Sequence, residues 1–452
     1  MKKKSRIVLC GIMTLIMAFV MAMPVSVSAA VSDDDVAKIG DTGYSTLQQA
    51  IDSAVDGNEI VLLKNVTEED VTFNKEGSYI LNLNNHTLKA NGDMSEIISI
   101  KTSNITLSIK DGYLISEGST TYGIYAYSVD GSTGHSNLNL TLDNVNLKTI
   151  DQAVGVQGLN SDQNVTIKNS SIESGNTGIY FPPKNGILTI ENSQVTGVNN
   201  GIVVKGGDVI ISGEDTLIKA TGTPEESDKP YDGNTSGEGF PKTGSAVYIE
   251  GNYSLDGQPR PININIIDGQ FESDKGVSLA ANYIQSQNTQ SIDVQGGTFT
   301  SDVTQFVKNS ETVIVEVSSK NITDMYYVGD ANSVLEKINN VMSSSCSITV
   351  KQGNIAFSNL PVGASVKNEG TGNVTANGIE VNENEAITIE EQSPSQPTTT
   401  PGNEQGTTGT EAAGDSAKTG DDFNMTAVIA IMGIAAAAAA GTIVYGRRKR
   451  SN

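Results

Sequence analysis

A short pattern that recurs along the chain constrains its fold more than any other feature. In residues 140–147, 165–172 and 188–195, apolar side chains stand at positions 1, 3 and 8, and Asn stands at position 5. The same template fits residues 81–88 and 107–114, with Asp at position 5 in the second of these. The fifth-position residues follow one another at spacings of 26, 33, 25 and 23. They are Asn85, Asp111, Asn144, Asn169 and Asn192.

This periodicity predicts an all-β solenoid. Apolar residues that alternate with polar ones indicate strands with one buried face. One repeat cannot bury that face alone, but stacked repeats form a continuous core. The near-constant spacing indicates a chain that returns to the same place at each turn, so the Asn and Asp column should form a structural ladder in which each side chain bonds the next.

The repeats resemble the right-handed parallel β-helix of the pectin-lyase type, over residues 31–325. The resemblance implies an N-terminal capping helix over the first turn of the solenoid. Ser45 and Gln48 fit a capping box for that helix. After residue 325 the pattern changes, and residues 326–390 are predicted to form either a C-terminal cap or a small β-rich module.

Composition restricts the partners of the chain. The formal net charge is −23 at pH 7, and phosphate binding needs clustered Lys and Arg, so nucleic acid is excluded. The chain has two cysteines, of which Cys10 lies in the N-terminal apolar stretch. Cys346 is therefore expected to be a buried, small apolar residue without a disulfide. The sequence shows no metal-ligand spacing and calls for no cofactor.

Both ends carry processing signals. Basic residues followed by an apolar stretch and small residues make residues 1–30 a secretory signal peptide. Residues 391–415 are rich in Pro, Thr, Gly and Glu and are predicted to be a disordered, wall-spanning linker. Residues 423–445 are apolar and long enough for one transmembrane helix. A basic cluster follows this segment and would keep the C-terminal end of the helix in the cytoplasm. The cluster consists of Arg447, Arg448, Lys449 and Arg450.

The order of motif, apolar segment and basic tail in residues 416–452 resembles the sorting signal of Gram-positive surface proteins that sortases cleave. The motif is formed by Ser416, Ala417, Lys418, Thr419 and Gly420. Ser416 and Ala417 stand where Leu and Pro are usual in the family. The resemblance implies cleavage between Thr419 and Gly420 and covalent attachment of Thr419 to peptidoglycan, with sortase as a partner. The alternative is an uncut membrane anchor.

A second segment matches the letters of that motif better. Residues 240–244 read Phe-Pro-Lys-Thr-Gly. No apolar span and no basic tail follow this segment, and it is expected to be a loop. The context of residues 416–452, rather than the letters alone, therefore carries the resemblance.

Many enzymes with the fold that this chain resembles cut acidic polysaccharides, so the resemblance also allows an enzymatic function. A lyase would need a basic residue beside its substrate, and the candidates are Arg260, Lys184 and Lys205. Arg260 stands between two prolines, which indicates an exposed loop, and a lone Lys on a strand is usually solvated. No residue is therefore assigned a catalytic role.

Tyrosines are the remaining candidates for a binding site. Tyr125 and Tyr180 fall in one column of the repeats, where exposed rings could stack against sugars. The alternative is that they only cover the solenoid surface. The sequence predicts a non-enzymatic, wall-anchored cell-surface protein, either an adhesin or a rod for surface display or glycan binding. The competing prediction is a wall-attached polysaccharide lyase or glycoside hydrolase.

Overall fold

A computed structural model describes residues 31–391. Within that span it leaves out residues 69–70, 91–95, 117–121, 127–136, 151–153, 158–161, 184, 226–240, 251–260, 283–289 and 320–321. Four segments predicted from the sequence lie outside the described residues: the signal peptide, the linker beyond residue 391, the transmembrane segment and the sorting signal. Within the described part of the chain, no helix is both long and apolar enough to span a membrane.

The fold is all-β, and most of its strands pair in parallel on three faces. On the first face, successive strands pair in parallel as β3 (Asn58–Leu62), β6 (Gly77–Asn82), β9 (Ile105–Ser116), β11 (Leu138–Lys148), β13 (Gln163–Lys168), β16 (Ile187–Glu191), β19 (Gly207–Ser212), β22 (Ile262–Ile266) and β25 (Gln290–Val294). The second face contains β4 (Val66–Thr67), β7 (Thr87–Ala90), the ends of β9 and β11, β14 (Ser171–Ser174), β17 (Gln194–Gly197), β20 (Leu217–Ala220), β23 (Gln270–Ser273) and β26 (Gly297–Phe299).

The third face completes each turn of the chain, which we call a coil. Its strands also pair in parallel, as β5 (Val71–Phe73), β8 (Glu96–Ile100), β10 (Tyr122–Ala126), β12 (Val154–Gln157), β15 (Thr177–Phe181), β18 (Asn200–Val204), β21 (Val247–Glu250) and β24 (Leu279–Asn282). Because the chain visits the three faces in the same order each time, the strands enclose one core.

The core residues are those that the repeat predicted. The apolar residues at positions 1, 3 and 8 of residues 140–147, 165–172 and 188–195 are all buried. They stack directly on one another, since Leu140 pairs with Val165 and Val165 pairs with Leu188. The period-two pattern therefore identified the buried side of these strands correctly.

The ladder residues mark the corner between the first and second faces. All five have a positive φ, between 46° and 62°. Asn and Asp tolerate this left-handed conformation better than other non-glycine residues, which explains the choice of residue. The Asn144 Nδ2 donates a hydrogen bond to the Asp111 Oδ1 over 2.9 Å. Asn169 donates instead to Asp143, over 3.2 Å, so the side-chain contacts do not follow the column throughout.

We expect Asn144→Ala to cost more stability than Asn144→Gly. Both substitutions remove the bond to Asp111, worth about 1 kcal/mol. Alanine also strains a backbone with φ of 57°, which adds about 1 kcal/mol, whereas glycine adopts this conformation freely. Urea unfolding of residues 31–391 measures both free energies. Equal losses of unfolding free energy for the two variants would show that the positive φ at position 144 does not explain the presence of Asn there.

The chain begins with an antiparallel cap. Strand β1 (Ala37–Ile39) pairs antiparallel with both β2 (Thr42–Tyr44) and β3. Helix α1 (Leu47–Ser53) follows and buries Leu47, Ala50 and Ile51 against the first coil. This helix is the one predicted from the sequence.

The predicted capping box of helix α1 is wrong. The N-cap is Thr46, whose side chain accepts a hydrogen bond from the Gln49 backbone N–H. The Gln48 side chain instead pairs with the backbone of Thr72 in β5, accepting from its N–H over 2.8 Å and donating to its carbonyl over 3.0 Å. Gln48 thus supplies the hydrogen bonds of a missing strand at the open edge of the third face.

The C-terminal part closes the other end of the coils. A 3-10 turn (Thr304–Phe306) precedes strands β27 (Val313–Ser319) and β28 (Ile322–Gly329), and β28 pairs antiparallel with both β26 and β27. The remaining elements are α2 (Ala331–Asn339), β29 (Ser347–Gln352), β30 (Ile355–Phe357), β31 (Ser365–Asn368), β32 (Val374–Ala376), β33 (Ile379–Val381) and β34 (Ala386–Thr388).

This part is both a cap and a module with its own core. Ile314 and Val328 pack into the core of the coils, whereas their neighbours Val313 and Tyr327 pack into a second cluster. That second cluster includes Cys346, which is buried as expected. The predicted boundary after residue 325 falls inside β28, because one hairpin serves both cores.

Candidate functional site

The outward side of the third face differs chemically from the other two faces. We call its central row the tyrosine column, and the strand register places in it Ser99, Tyr125, Gln157, Tyr180, Val203, Tyr248 and Ala280. The corresponding row on the first face has no aromatic residue from Ile80 to Ile210 and contains Ser108, Thr141, Thr166 and Thr189 between these two. Aromatic side chains on an outer sheet face are candidates for ligand contact.

One end of the column is partly open. The Tyr122 and Tyr125 rings stack at a centroid distance of 4.3 Å and an interplanar angle of 9°, and both side chains are half-buried. Glu96 pairs with Tyr122 on the adjacent coil, and its Oε2 accepts a hydrogen bond from the Ser99 Oγ over 3.2 Å. Burial raises the pKa of Tyr122, and the nearby Glu96 carboxylate raises it further.

The other end of the column is closed. Tyr180, Val203, Tyr248 and Ala280 form an apolar cluster separate from the main core. Tyr180 lies two coils from Tyr125, with Gln157 between them, so the two tyrosines share a column as predicted. However, Tyr180 is only 5 % exposed. The expectation of an exposed ring is therefore wrong for Tyr180, which packs in this cluster, and sugar binding at Tyr180 stays a prediction.

Lys205 lies at this closed end and is fully buried. Its Nζ stands 5.3 Å from the centroid of the Tyr180 ring, a cation–π arrangement. The expectation that Lys205 is solvated is therefore wrong. The other two basic candidates, Lys184 and Arg260, fall outside the described residues.

A buried carboxylate accompanies Lys205 on the next coil. Lys205 directly follows β18, and Glu250 ends the adjacent strand β21. Glu250 accepts a hydrogen bond from the Tyr248 hydroxyl over 2.7 Å and one from the Asn282 Nδ2 over 3.4 Å. The arrangement brings an amine, a carboxylate and a phenol to one sheet face, the kinds of group that acid–base chemistry uses.

Sequence reasoning missed Glu250 and Asn282. A long insertion separates β20 from β21, and the repeat template loses its Asn beyond Asn192. On the third face, Ile202, Val247 and Leu279 lie in one row and set the register of these coils. Aligning these three residues in the sequence would have identified Glu250 and Asn282 as neighbours.

The internal segment that resembles a sorting motif is folded into this part of the molecule. Thr243 is buried, and its hydroxyl donates a hydrogen bond to the Asn200 side-chain oxygen. The Asn200 amide donates in turn to the Pro241 carbonyl. The described residues of this segment, 241–244, have no regular secondary structure, as expected of a loop. A Thr that is buried and hydrogen-bonded in this way is not accessible to a sortase.

Among the described residues, no group of three or more His, Cys, Asp or Glu side chains is placed to hold a metal ion. Comparison of the chain with protein-family models, curated proteins and solved structures finds no match.

Proposed function

We propose that the chain is an exported surface protein that a sortase attaches to peptidoglycan through Thr419, and that its coils form a rod that binds glycans. The single observation that supports glycan binding is the half-buried Tyr122–Tyr125 pair on the outer third face. Rigid aromatic rings on a rigid scaffold lose little conformational entropy when a ligand binds. Sugar rings offer flat apolar faces of matching size to such rings.

The proposed rod is a right-handed parallel β-helix of the pectin-lyase type. Three parallel faces visited in a constant order and a turn residue of positive φ at one corner support it. Connections between parallel strands of one sheet are right-handed in nearly all proteins, which supports the hand. A fold of this kind serves both binding proteins and enzymes, so it does not decide the function.

A polysaccharide lyase or glycoside hydrolase is the second candidate. The neighbouring Lys205 and Glu250 on the third face favour it, since both groups are of kinds that catalyse cleavage of sugar polymers. Both are fully buried in this arrangement, so a polymer would reach them only after the face opens. The binding role therefore has the better support.

We expect Tyr125→Ala to weaken glycan binding about tenfold, a change of about 1.4 kcal/mol that lies within the range of aromatic stacking. The measurement is binding of the full-length chain, held in detergent, to an array of neutral, acidic and amino-sugar glycans. Tyr113→Ala is the matched control, because Tyr113 is 43 % exposed on the second face, away from the column.

The same samples test the competing function. Released reducing or unsaturated ends would replace the binding proposal with the enzymatic one, and Lys205→Met would then be expected to stop the release. If the wild-type chain binds no glycan, or if the two tyrosine variants lose binding equally, the tyrosine column is not the binding site.

A further inference from the structure

We infer that a groove on the second face is a further binding site and that it takes a neutral, hydroxyl-rich glycan. This second-face groove encloses about 520 Å³ and crosses four successive coils, from the end of β11 past β14 and β17 to the end of β20. At about 4.8 Å per coil it extends about 14 Å, the length of a short oligosaccharide. The groove lies on a different face from the tyrosine column, so the inference goes beyond the proposed function and does not depend on it.

Uncharged polar side chains line the outward side of the groove. Ser171 and Gln194 are register partners on adjacent strands, and Thr196 lies two residues beyond Gln194 on the same strand. Within the described part of the chain, none of these three side chains makes a hydrogen bond to another residue. The outward row of the first face differs, because there the Asn164 Nδ2 donates to the Asn139 Oδ1 over 2.9 Å. The second-face groove therefore keeps hydrogen-bonding groups that the chain itself does not use.

A buried hydroxyl at the groove also lacks a partner. Thr149 is one of the lining residues and is only 2 % exposed. Among the described residues, its hydroxyl has no hydrogen-bond partner. The large majority of buried hydroxyls in proteins are hydrogen-bonded. The missing partner indicates that a hydroxyl-bearing molecule completes this wall of the groove.

The charges at the groove are already paired within the chain. Lys148 and Glu173 are the charged side chains of its described lining, and they form an ion pair of 2.7 Å. On the far side, Lys219 is paired with Glu272 over 2.9 Å and with Asp274 over 3.1 Å. A uronate or a phosphate would therefore have to compete with these carboxylates for a cation, and an amino sugar would have to compete with these lysines. A neutral glycan needs neither exchange.

The strands beneath the groove leave no edge for a peptide. Strand β14 pairs in parallel with both β11 and β17, and β17 pairs with β20. A peptide that adds a strand to a sheet needs an unpaired edge, because its affinity comes from main-chain hydrogen bonds. Val198, which is 41 % exposed, gives the groove an apolar contact for one face of a sugar ring. A glycan that lies across the coils therefore fits the groove better than a peptide strand does.

The test measures binding of cellohexaose, mannohexaose and hexagalacturonate to the full-length chain in detergent, both as the wild type and as Tyr125→Ala. We expect at least one neutral hexamer to bind the Tyr125→Ala chain, and hexagalacturonate to bind it at least about tenfold more weakly. Adding Gln194→Ala and Thr196→Ala should weaken binding of the neutral hexamer about tenfold, because both changes remove hydrogen-bonding groups. Adding Gln270→Ala and Thr189→Ala instead is the matched control, since these residues are of the same two types but do not line the groove.

The other outcomes separate the groove from the column. Equal losses in the groove variant and its control would overturn the inference, because outward polar groups in general would then explain the binding. Hexagalacturonate that binds as tightly as the neutral hexamers would overturn the assigned class of ligand. If a hexamer binds the wild-type chain but not the Tyr125→Ala chain, the column is the glycan site and the groove is not. If both chains bind it equally and only the groove variant loses it, the groove is the site and the column proposal fails.

Discussion

Gly197→Ala should lower the free energy of unfolding of residues 31–391 by more than about 3 kcal/mol, within the range of severe overpacking in cores. A Cβ at this position would lie 1.9 Å from the Asn200 carbonyl oxygen, 2.8 Å from the Gly178 nitrogen and 2.9 Å from the Asn176 oxygen. All three are backbone atoms, so no side chain can rotate away. Gly197 ends β17 at the corner where the chain turns towards the third face. The clash with Asn200 would distort this corner, and the clashes with Gly178 and Asn176 would push it away from the preceding coil.

Gly40→Ala is the control for this substitution. Gly40 has a φ of 55°, but no atom would lie within 4 Å of its Cβ. Only the backbone strain of about 1 kcal/mol applies there. Urea unfolding followed by circular dichroism gives both values. Losses of similar size would mean that conformational strain, and not the close approach of coils, makes Gly197 necessary.

Thr419→Ala should move the protein from the cell wall to the membrane fraction almost completely. If a sortase acts here, its cysteine attacks the Thr419 carbonyl and forms a thioester, and an amine of peptidoglycan then displaces the cysteine. A changed side chain at this position removes a group that the resemblance assigns to recognition. The uncut chain would keep its apolar segment, residues 423–445, and with it a membrane anchor.

Fractionation after muramidase digestion measures this outcome. The matched control is Thr408→Ala in the linker, because Thr408 also precedes a glycine but no apolar segment directly follows it. Wall attachment of the Thr419 variant at the wild-type level would contradict the sorting proposal. Membrane localisation of the wild-type chain would support the uncut anchor instead.

The sequence predicted the core of the coils better than their surface. The apolar positions of residues 140–147 are set by the pleat of each strand, a local property, and they were identified correctly. The burial of Tyr180 and Lys205 depends on which residues the neighbouring coils place around them. The alternation of apolar and polar residues along one strand gives no information about those neighbours. Glu250 escaped notice because the insertion before β21 interrupts the spacing.

The error at helix α1 has a similar cause. Ser45 and Gln48 satisfy the spacing of a capping box, a motif that is read within four residues. The structure uses Thr46 for the cap because Gln48 is needed by the backbone of Thr72, which is 24 residues further along the chain. A contact of that range appears only when the first coil has closed.

The two antiparallel ends have a consequence for how such a molecule can change in length. Strands β1 and β28 finish the coils on either side, while the coils between them meet their neighbours through the same parallel register. Duplication or loss of one whole coil in the middle would leave both ends intact and alter the length by about 4.8 Å. Under the proposed wall attachment, the reach of the protein would therefore change in discrete steps.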